Sequence, residues 1–471
     1  MLLLALYIGA LWRNARRGRA ATQELADYLV GGRRLGGFVI GVSFFATFAS
    51  TNSYVGHAGK GYELGLPWLL FPLFMAFFTW LSWTTVAPRL REASAALDAL
   101  TLPDYFARRF DSVAIGRAAG CIVVFAAILY LVAIFKGAGH VLQFFLAVDY
   151  EVAVLALLVI VVLYTSYGGF VSVARTDVLQ GLMMLLGAWL LAFFVFRRVA
   201  EEHALDALLT LPELAPLADW NLGLPFAVLV GIFLSGSLKL LVDPRQVSRF
   251  FALRDRRQLR LGMTVALVGL LLIQLGLFPI GLLAHLFMDD VGDTDLIVPM
   301  LLQRADVFPL WAADVLLIAI VSAAMSSMDS VLLVAASVWA RDIQRVDAAR
   351  GVGVTRIAIV ALAIVAALVA LRPPGDIVGI TIFSGSLYAA CFLPGLLFGL
   401  HTSRGDARAM GASMLVGVVV LLAWLGSGLG ATLHEVFPAL AASAVSFALL
   451  ARRRGARDAA ALDADPDAGG R

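Results

Sequence analysis

Apolar residues in this chain gather into long uninterrupted runs, not into the alternating or one-faced patterns of a water-bounded core. Thirteen runs can be marked, at residues 1 to 12, 36 to 59, 64 to 88, 112 to 142, 151 to 169, 177 to 196, 222 to 242, 261 to 288, 309 to 340, 354 to 371, 377 to 400, 409 to 427 and 435 to 451. A helix crosses the hydrocarbon with about 20 apolar residues. The pattern therefore predicts an all-α integral membrane protein of about 13 transmembrane helices. Met1 to Trp12 is too short to span and is expected to be a truncated or partial helix. A cleaved signal peptide is not expected, because arginines follow that run instead of preceding it.

Composition agrees with lipid as the main partner. Of 471 residues 61% are hydrophobic and 15% charged, with a mean hydropathy of +0.90. A soluble domain is nearer half apolar and a quarter charged. The net charge of +3 is too balanced for nucleic-acid binding. Cys121 and Cys391, the two cysteines, lie inside apolar runs and suit neither a disulfide framework nor a metal site. Lysines and arginines between the runs divide unevenly, 28 in one set of alternate loops and five in the other. The richer side is the cytoplasmic one by the positive-inside rule, which predicts an external N-terminus, a cytoplasmic C-terminus and a multi-pass protein of the plasma (inner) membrane.

No linker divides the chain. We expect one transmembrane domain over residues 1–457 and a disordered Ala/Asp/Gly-rich cytoplasmic tail over 458–471, with a helical patch at Ala204 to Leu214 in the longest external loop. His57, His140 and His285 are scattered without metal-ligand spacing, and Gly168-Gly169 lacks the rest of a phosphate loop. The chain is thus not expected to be an enzyme, and nothing in it calls for an obligate protein partner.

The informative residues of a spanning helix are those that lipid rejects. Ser50, Thr51, Asn52 and Ser53 are consecutive in the second run, and four adjacent polar residues cannot share one helix face. They suit a broken helix whose carbonyls and hydroxyls line a polar pocket. A single Ser or Thr would be read as bonding back to its own helix. In the ninth run Ser326, Asp329 and Ser330 recur at i, i+3 and i+4 with Ser327 beside them. Oxygen ligands without sulfur or imidazole favour a hard cation; small-residue packing would explain the serines but leaves Asp329 over. Asp177 stands at the head of the sixth run, where a carboxylate also caps a helix.

Only three lysines occur, Lys60, Lys136 and Lys239, against 33 arginines, and two of them are within runs. A compact ammonium kept in mid-helix has a local task. Lys239 could pair with Asp243 at i+4. Lys136 has no acidic residue within a turn and precedes Gly137-Ala-Gly139, where helices can approach closely. Internal pairing and contact with an anionic solute are weighed equally for both.

These residues resemble a known family. Asp27-Tyr-Leu-Val-Gly-Gly-Arg-Arg-Leu-Gly36 followed by Ser50-Thr-Asn-Ser-Tyr-Val-Gly-His-Ala-Gly-Lys-Gly-Tyr62, Thr101-Leu-Pro-Asp-Tyr-Phe106 with Arg109-Phe110, Tyr164-Thr-Ser-Tyr-Gly-Gly-Phe170 with Thr176-Asp-Val-Leu-Gln180, and Met325-Ser-Ser-Met-Asp-Ser330 closing with Arg341-Asp-Ile343 are similar to four blocks of the sodium:solute symporters, in order. The resemblance implies a leucine-transporter-like core of five plus five helices in inverted repeats, residues 36–196 and 222–400, with discontinuous first and sixth core helices. It implies a coupling Na+ held by the carbonyls of Ala46, Ala49 and Ala323 and the hydroxyls of Ser326 and Ser327, with Asp177 nearby. Asp329 and Ser330 stand where some members hold a second sodium. Solute would contact Thr51, Asn52 and Ser53, opposite a break in Ser235 to Asp243. The sugar carriers place a longer polar side chain at Asn52 and Ser53 and an aromatic where Lys239 falls, so a carboxylate or amino acid is expected instead of a sugar.

The expected function is sodium-coupled import of a small organic solute by alternating access. Two rivals stand beside it. One is a transporter-like sensor, which would need a separate signalling partner because the tail is too short for a kinase. The other is a proton-coupled carrier in which Lys136 or Lys239 titrates.

Overall fold

The computed structural model describes residues 25–201, 224–288 and 291–452, with Tyr7, Gly9 and Arg13. Among these residues every element is helical save for isolated β-bridges, one of which pairs Leu35 with Leu253. Each run after the first has a helix at its place. The chain forms α1 (Gly37–Phe48), α2 (Asn52–Leu64), α3 (Leu66–Ala96), α4 (Val113–Leu146), α5 (Tyr150–Leu163) and α6 (Gly169–Glu201). It continues with α7 (Phe226–Val242), α8 (Pro244–Ala252), α9 (Arg257–Ala284), α10 (Leu310–Ile343), α11 (Arg350–Ala370), α12 (Ile377–His401), α13 (Ala407–Gly426) and α14 (Val436–Leu450). Nine described spans are long and apolar enough to cross a membrane, counting α7 with α8 as one. The α1–α2 pair, bent by 55°, makes a tenth, and α5 and α14 are shorter apolar helices. The run 1 to 12 (Tyr7 and Gly9 apart), the patch Ala204 to Leu214 and the tail 458–471 lie outside the described residues.

Phe77, Leu163, Leu368 and Leu415 are exposed on the outside of the bundle, as lipid-facing residues should be. α10 and α12 are almost wholly enclosed. α1 packs on α6, α8, α9 and α10. Its approach to α9 is set by glycine: a Cβ on Gly37 would stand 2.2 Å from the Gln258 carbonyl oxygen, and one on Gly41 would stand 2.6 Å from that of Gly262. Backbone meets backbone there.

Two breaks shape the centre. α1 stops at Phe48 because Ala49 is extended (φ −69°, ψ 111°) and the next polar residues bond locally: Ser53 N donates to Ser50 O at 2.9 Å and Asn52 N to Ser50 Oγ at 3.1 Å. The second break was expected within Ser235 to Asp243 and falls at the last of these residues: α7 runs unbroken to Val242 and Asp243 is extended. The reason is local: the Asp243 side chain caps Arg245 N at 2.9 Å and Pro244 takes the first helical position. At the ends of α1 and α8 far from these breaks the chain entering α1 is joined to the chain leaving α8, with Leu35 N donating to Ala252 O at 3.1 Å and Arg254 N to Leu35 O at 3.0 Å.

Two expectations are corrected. Arg245 and Arg249, counted among loop cations, lie in α8 with 4% and 1% of their surface exposed. The sixth run begins earlier than hydropathy indicated, at Gly169, whose φ of 64° kinks the chain between α5 and α6. Asp177 therefore sits eight residues inside α6, about 12 Å along its axis, and caps nothing.

Candidate ion and solute site

A helix end leaves its last four carbonyls without intrahelical partners. At the end of α1 two consecutive serines of α10 meet them. Ser326 Oγ lies 3.2 Å from Ala46 O, while Ser327 Oγ lies 3.2 Å from Thr47 O and 3.5 Å from Ala49 O. Ala46, Ala49, Ala323, Ser326 and Ser327 all have no measurable exposure. Ser326 also lies 2.6 Å from Asp177 Oδ1. It has one proton for two acceptors, and the nearer, charged one claims it. The lone pairs of Ser326 then face the Ala46 carbonyl, and two facing oxygens of that kind suit a small hard cation.

Asp177 is held from three sides. Ser43 Oγ donates to Oδ2 at 2.5 Å, Ser326 to Oδ1, and Arg249 Nη2 stands 3.3 Å from Oδ2. Arg249 itself spans the seam. Its Nε donates to Ser43 Oγ at 3.2 Å, Nη1 to Arg245 O at 2.7 Å, and Nη2 to Thr47 Oγ1 at 2.5 Å and Ser330 Oγ at 2.6 Å. Ser330 is thus engaged by Arg249 and Thr47, while Asp329 accepts from Thr165. Sequence reasoning placed Ser326, Asp329 and Ser330 on one face; the structure directs Asp329 to the α5–α6 connection and leaves Ser326 and Ser330 on the seam. Sequence reasoning missed Ser43, Thr47, Thr165 and Arg249.

At the α1–α2 break Thr51 Oγ1 and Asn52 Oδ1 are buried and have no hydrogen-bond partner among the described residues, and Ser53 Oγ lies 3.4 Å from Ser50 N. Thr51 rests against Gly137 of α4, where a Cβ would stand 3.1 Å away. The expected close approach at Gly137 is therefore with the broken helix.

The two mid-helix lysines separate. Lys136 Nζ donates to Asp295 Oδ2 at 2.6 Å and lies 3.3 Å from Gly375 O, so it is engaged in an ion pair at the end of the bundle away from Arg254. Asp295 also accepts from Ile377 N at 3.1 Å, at the start of α12. Burial pushes the Asp295 carboxyl up from its usual range, and the Lys136 ammonium opposes that. Lys239 is not paired with Asp243. Arg245 takes that carboxylate, with Nε 3.0 Å from each oxygen. The Lys239 ammonium instead lies 5.3 Å from the Phe48 ring centroid and 5.7 Å from that of Tyr130.

Helices broken at mid-membrane around buried oxygens are the build of a membrane transporter, not an enzyme. The chain belongs to the sodium:solute symporter family, whose model matches residues 28–417. It is 27% identical over 434 residues to a sodium/pantothenate symporter of Haemophilus influenzae, covering 90% of this chain and 89% of that one. It is 28% identical over 444 residues to an osmoregulated proline transporter of Bacillus subtilis, again covering 90% and 89%. Among solved structures it is similar to a substrate-bound, outward-open Na+-coupled sialic acid symporter, with a TM-score of 0.81, 20% identity and coverage of 96% and 98%. A nucleobase-cation-symport-1 family transporter in a closed conformation gives a TM-score of 0.59 at 12% identity, covering 93% and 98%. These two likenesses concern the fold.

Proposed function

We propose that this protein imports a small organic solute, a carboxylate or amino acid, together with Na+ by alternating access. The observation that carries the reading is Ser326, whose hydroxyl stands between Ala46 O of the broken helix and the Asp177 carboxylate. In this reading Na+ takes the carbonyls of Ala46, Ala49 and Ala323 and the hydroxyls of Ser326 and Ser327. Asp177 polarises Ser326 from behind, neutralised by Arg249. The ion draws α1 and α10 together and so favours the conformation whose pocket accepts solute. Inward movement of Na+ down 100 mV contributes about 2.3 kcal/mol per charge. The N-terminus is external and the C-terminus cytoplasmic, and residues 36–196 and 222–400 are the two inverted repeats of a single domain.

The names of relatives support the solute class. Pantothenate, proline and sialic acid each carry a carboxylate. Lys136 is held by Asp295 and leaves this assignment, while Thr51, Asn52, Ser53 and Lys239 keep it. The test is uptake into vesicles under an imposed sodium gradient. Replacing sodium by choline should abolish accumulation, and so should Ser326→Ala combined with Ser327→Ala. Accumulation driven by a proton gradient in sodium-free buffer would overturn the reading.

A further inference from the structure

The break between α7 and α8 carries more positive charge than the protein uses. Lys239 is 4% exposed, and no carboxylate of a described residue forms an ion pair with it. Arg245 lies beneath the same aromatic ring, its guanidinium carbon 3.7 Å from the Tyr130 centroid. Asp243 neutralises Arg245 through one edge of the guanidinium, and the buried Nη1 keeps no partner among the described residues. Both ends of the Gln246 amide are likewise buried and unpartnered. Two basic side chains share one carboxylate among the described residues, so Lys239 is left without a counter-charge, set against Phe48 and Tyr130 at the C-terminal end of the broken α1. Desolvating an ion without a counter-charge costs several kcal/mol, so a bound group that supplies the counter-charge is strongly favoured there.

We infer that the solute is a monocarboxylate anion, its carboxylate seated on Lys239, rather than a zwitterionic amino acid, a dicarboxylate or an uncharged solute. The inference rests on the symport reading above and narrows its solute class. A zwitterion would bring a further cation to a site where the one carboxylate among the described residues is already taken by Arg245. A dicarboxylate would leave one negative charge over. Phe48 and Tyr130 offer faces to the apolar body of a monoanion.

One bland account competes. Lys239 lies in the last turn of α7, where a cation complements the helix dipole. Stability separates the two, because a lysine kept for the dipole stabilises the fold and one kept for an anion destabilises the empty protein.

The experiment uses the purified full chain in detergent with saturating sodium. Ligand-induced shifts of the melting midpoint are recorded for propionate, pyruvate and pantothenate as monoanions, proline as zwitterion, succinate as dianion and glucose as neutral solute, and the same compounds are tested in vesicle uptake. We expect at least one monoanion to bind and be accumulated, and the others not to be. Lys239→Met should weaken that binding about 10- to 100-fold while raising the melting midpoint of the ligand-free protein and leaving the sodium-induced shift in place. Lys239→Arg should recover part of the binding. Sodium-driven accumulation of proline, succinate or glucose by the wild-type protein would overturn the inference and spare the symport reading, as would a panel in which no monoanion binds or one in which Lys239→Met binds the monoanion at wild-type affinity. A fall in the ligand-free midpoint of Lys239→Met would overturn it in favour of the dipole. Loss of sodium dependence in the wild-type protein would instead strike the symport reading.

Discussion

Arg249 Nη2 stands 3.3 Å from Asp177 Oδ2, and neither side chain has more than 1% of its surface exposed. The pair joins α8 to α6 across the end of α1. Removing one member of a buried pair strands the other charge, at a cost of about 3–5 kcal/mol. Arg249→Gln and Asp177→Asn should each lower the melting midpoint strongly. The double variant should fall less than the two losses added together, a coupling that unfolding measurements on all three variants would reveal.

Among the described residues the Ser327 hydroxyl hydrogen-bonds only with carbonyls at the C-terminal end of α1, Thr47 O at 3.2 Å and Ala49 O at 3.5 Å. Ser327→Ala removes a weak hydrogen bond, so the fold should lose no more than about 1 kcal/mol. Its sodium affinity should fall at least about tenfold, equivalent to about 1.4 kcal/mol. Half-saturating sodium in uptake assays, compared with the melting midpoint, measures the two effects separately.

The Lys136–Asp295 pair fastens the segment between α9 and α10 to α4 and, through Ile377 N, to α12. Asp295→Asn retains an acceptor for Ile377 N, whereas Asp295→Ala loses both contacts. Hydrogen exchange around Thr294–Leu301 should accelerate more in Asp295→Ala than in Asp295→Asn.

His434, in the connection between α13 and α14, is packed beside Gly231 and lies 3.4 Å from Glu435. Burial lowers its pKa below the ordinary 6.5, with Glu435 opposing. The folded protein therefore holds this ring neutral in a window just below pH 6.5 where the unfolded chain would protonate it. Stability from this group is present above that window and is lost as pH falls through it, by up to about 1.4 kcal/mol per pH unit. Melting midpoints between pH 7.5 and 5.5 should decline, and His434→Gln should flatten the decline.

Much of the fold was readable because lipid imposes a harsh and simple filter on sequence. Runs of apolar residues marked every described membrane helix but α8, and the cluster Ser50 to Ser53 marked the first break. What escaped was governed by single residues. Gly169 starts α6 through a positive φ that hydropathy cannot register. Arg249 was hidden because four exposed arginines at 254, 256, 257 and 260 follow it, so α8 looked like the start of a charged loop. The clue was Asp243-Pro244, a helix-start signature. Pairing across distance was equally invisible: the partner of Lys136 lies 159 positions away at Asp295.

The two backbone hydrogen bonds that Leu35 makes with Ala252 and Arg254 give the protein a shared pivot. With the base of α1 laced to the foot of α8, a swing of one inner half-helix alone would have to break both bonds. In the alternating-access reading proposed above, α1 and α8 would therefore travel as one leaf, and solute would pass beside that leaf instead of between the two half-helices.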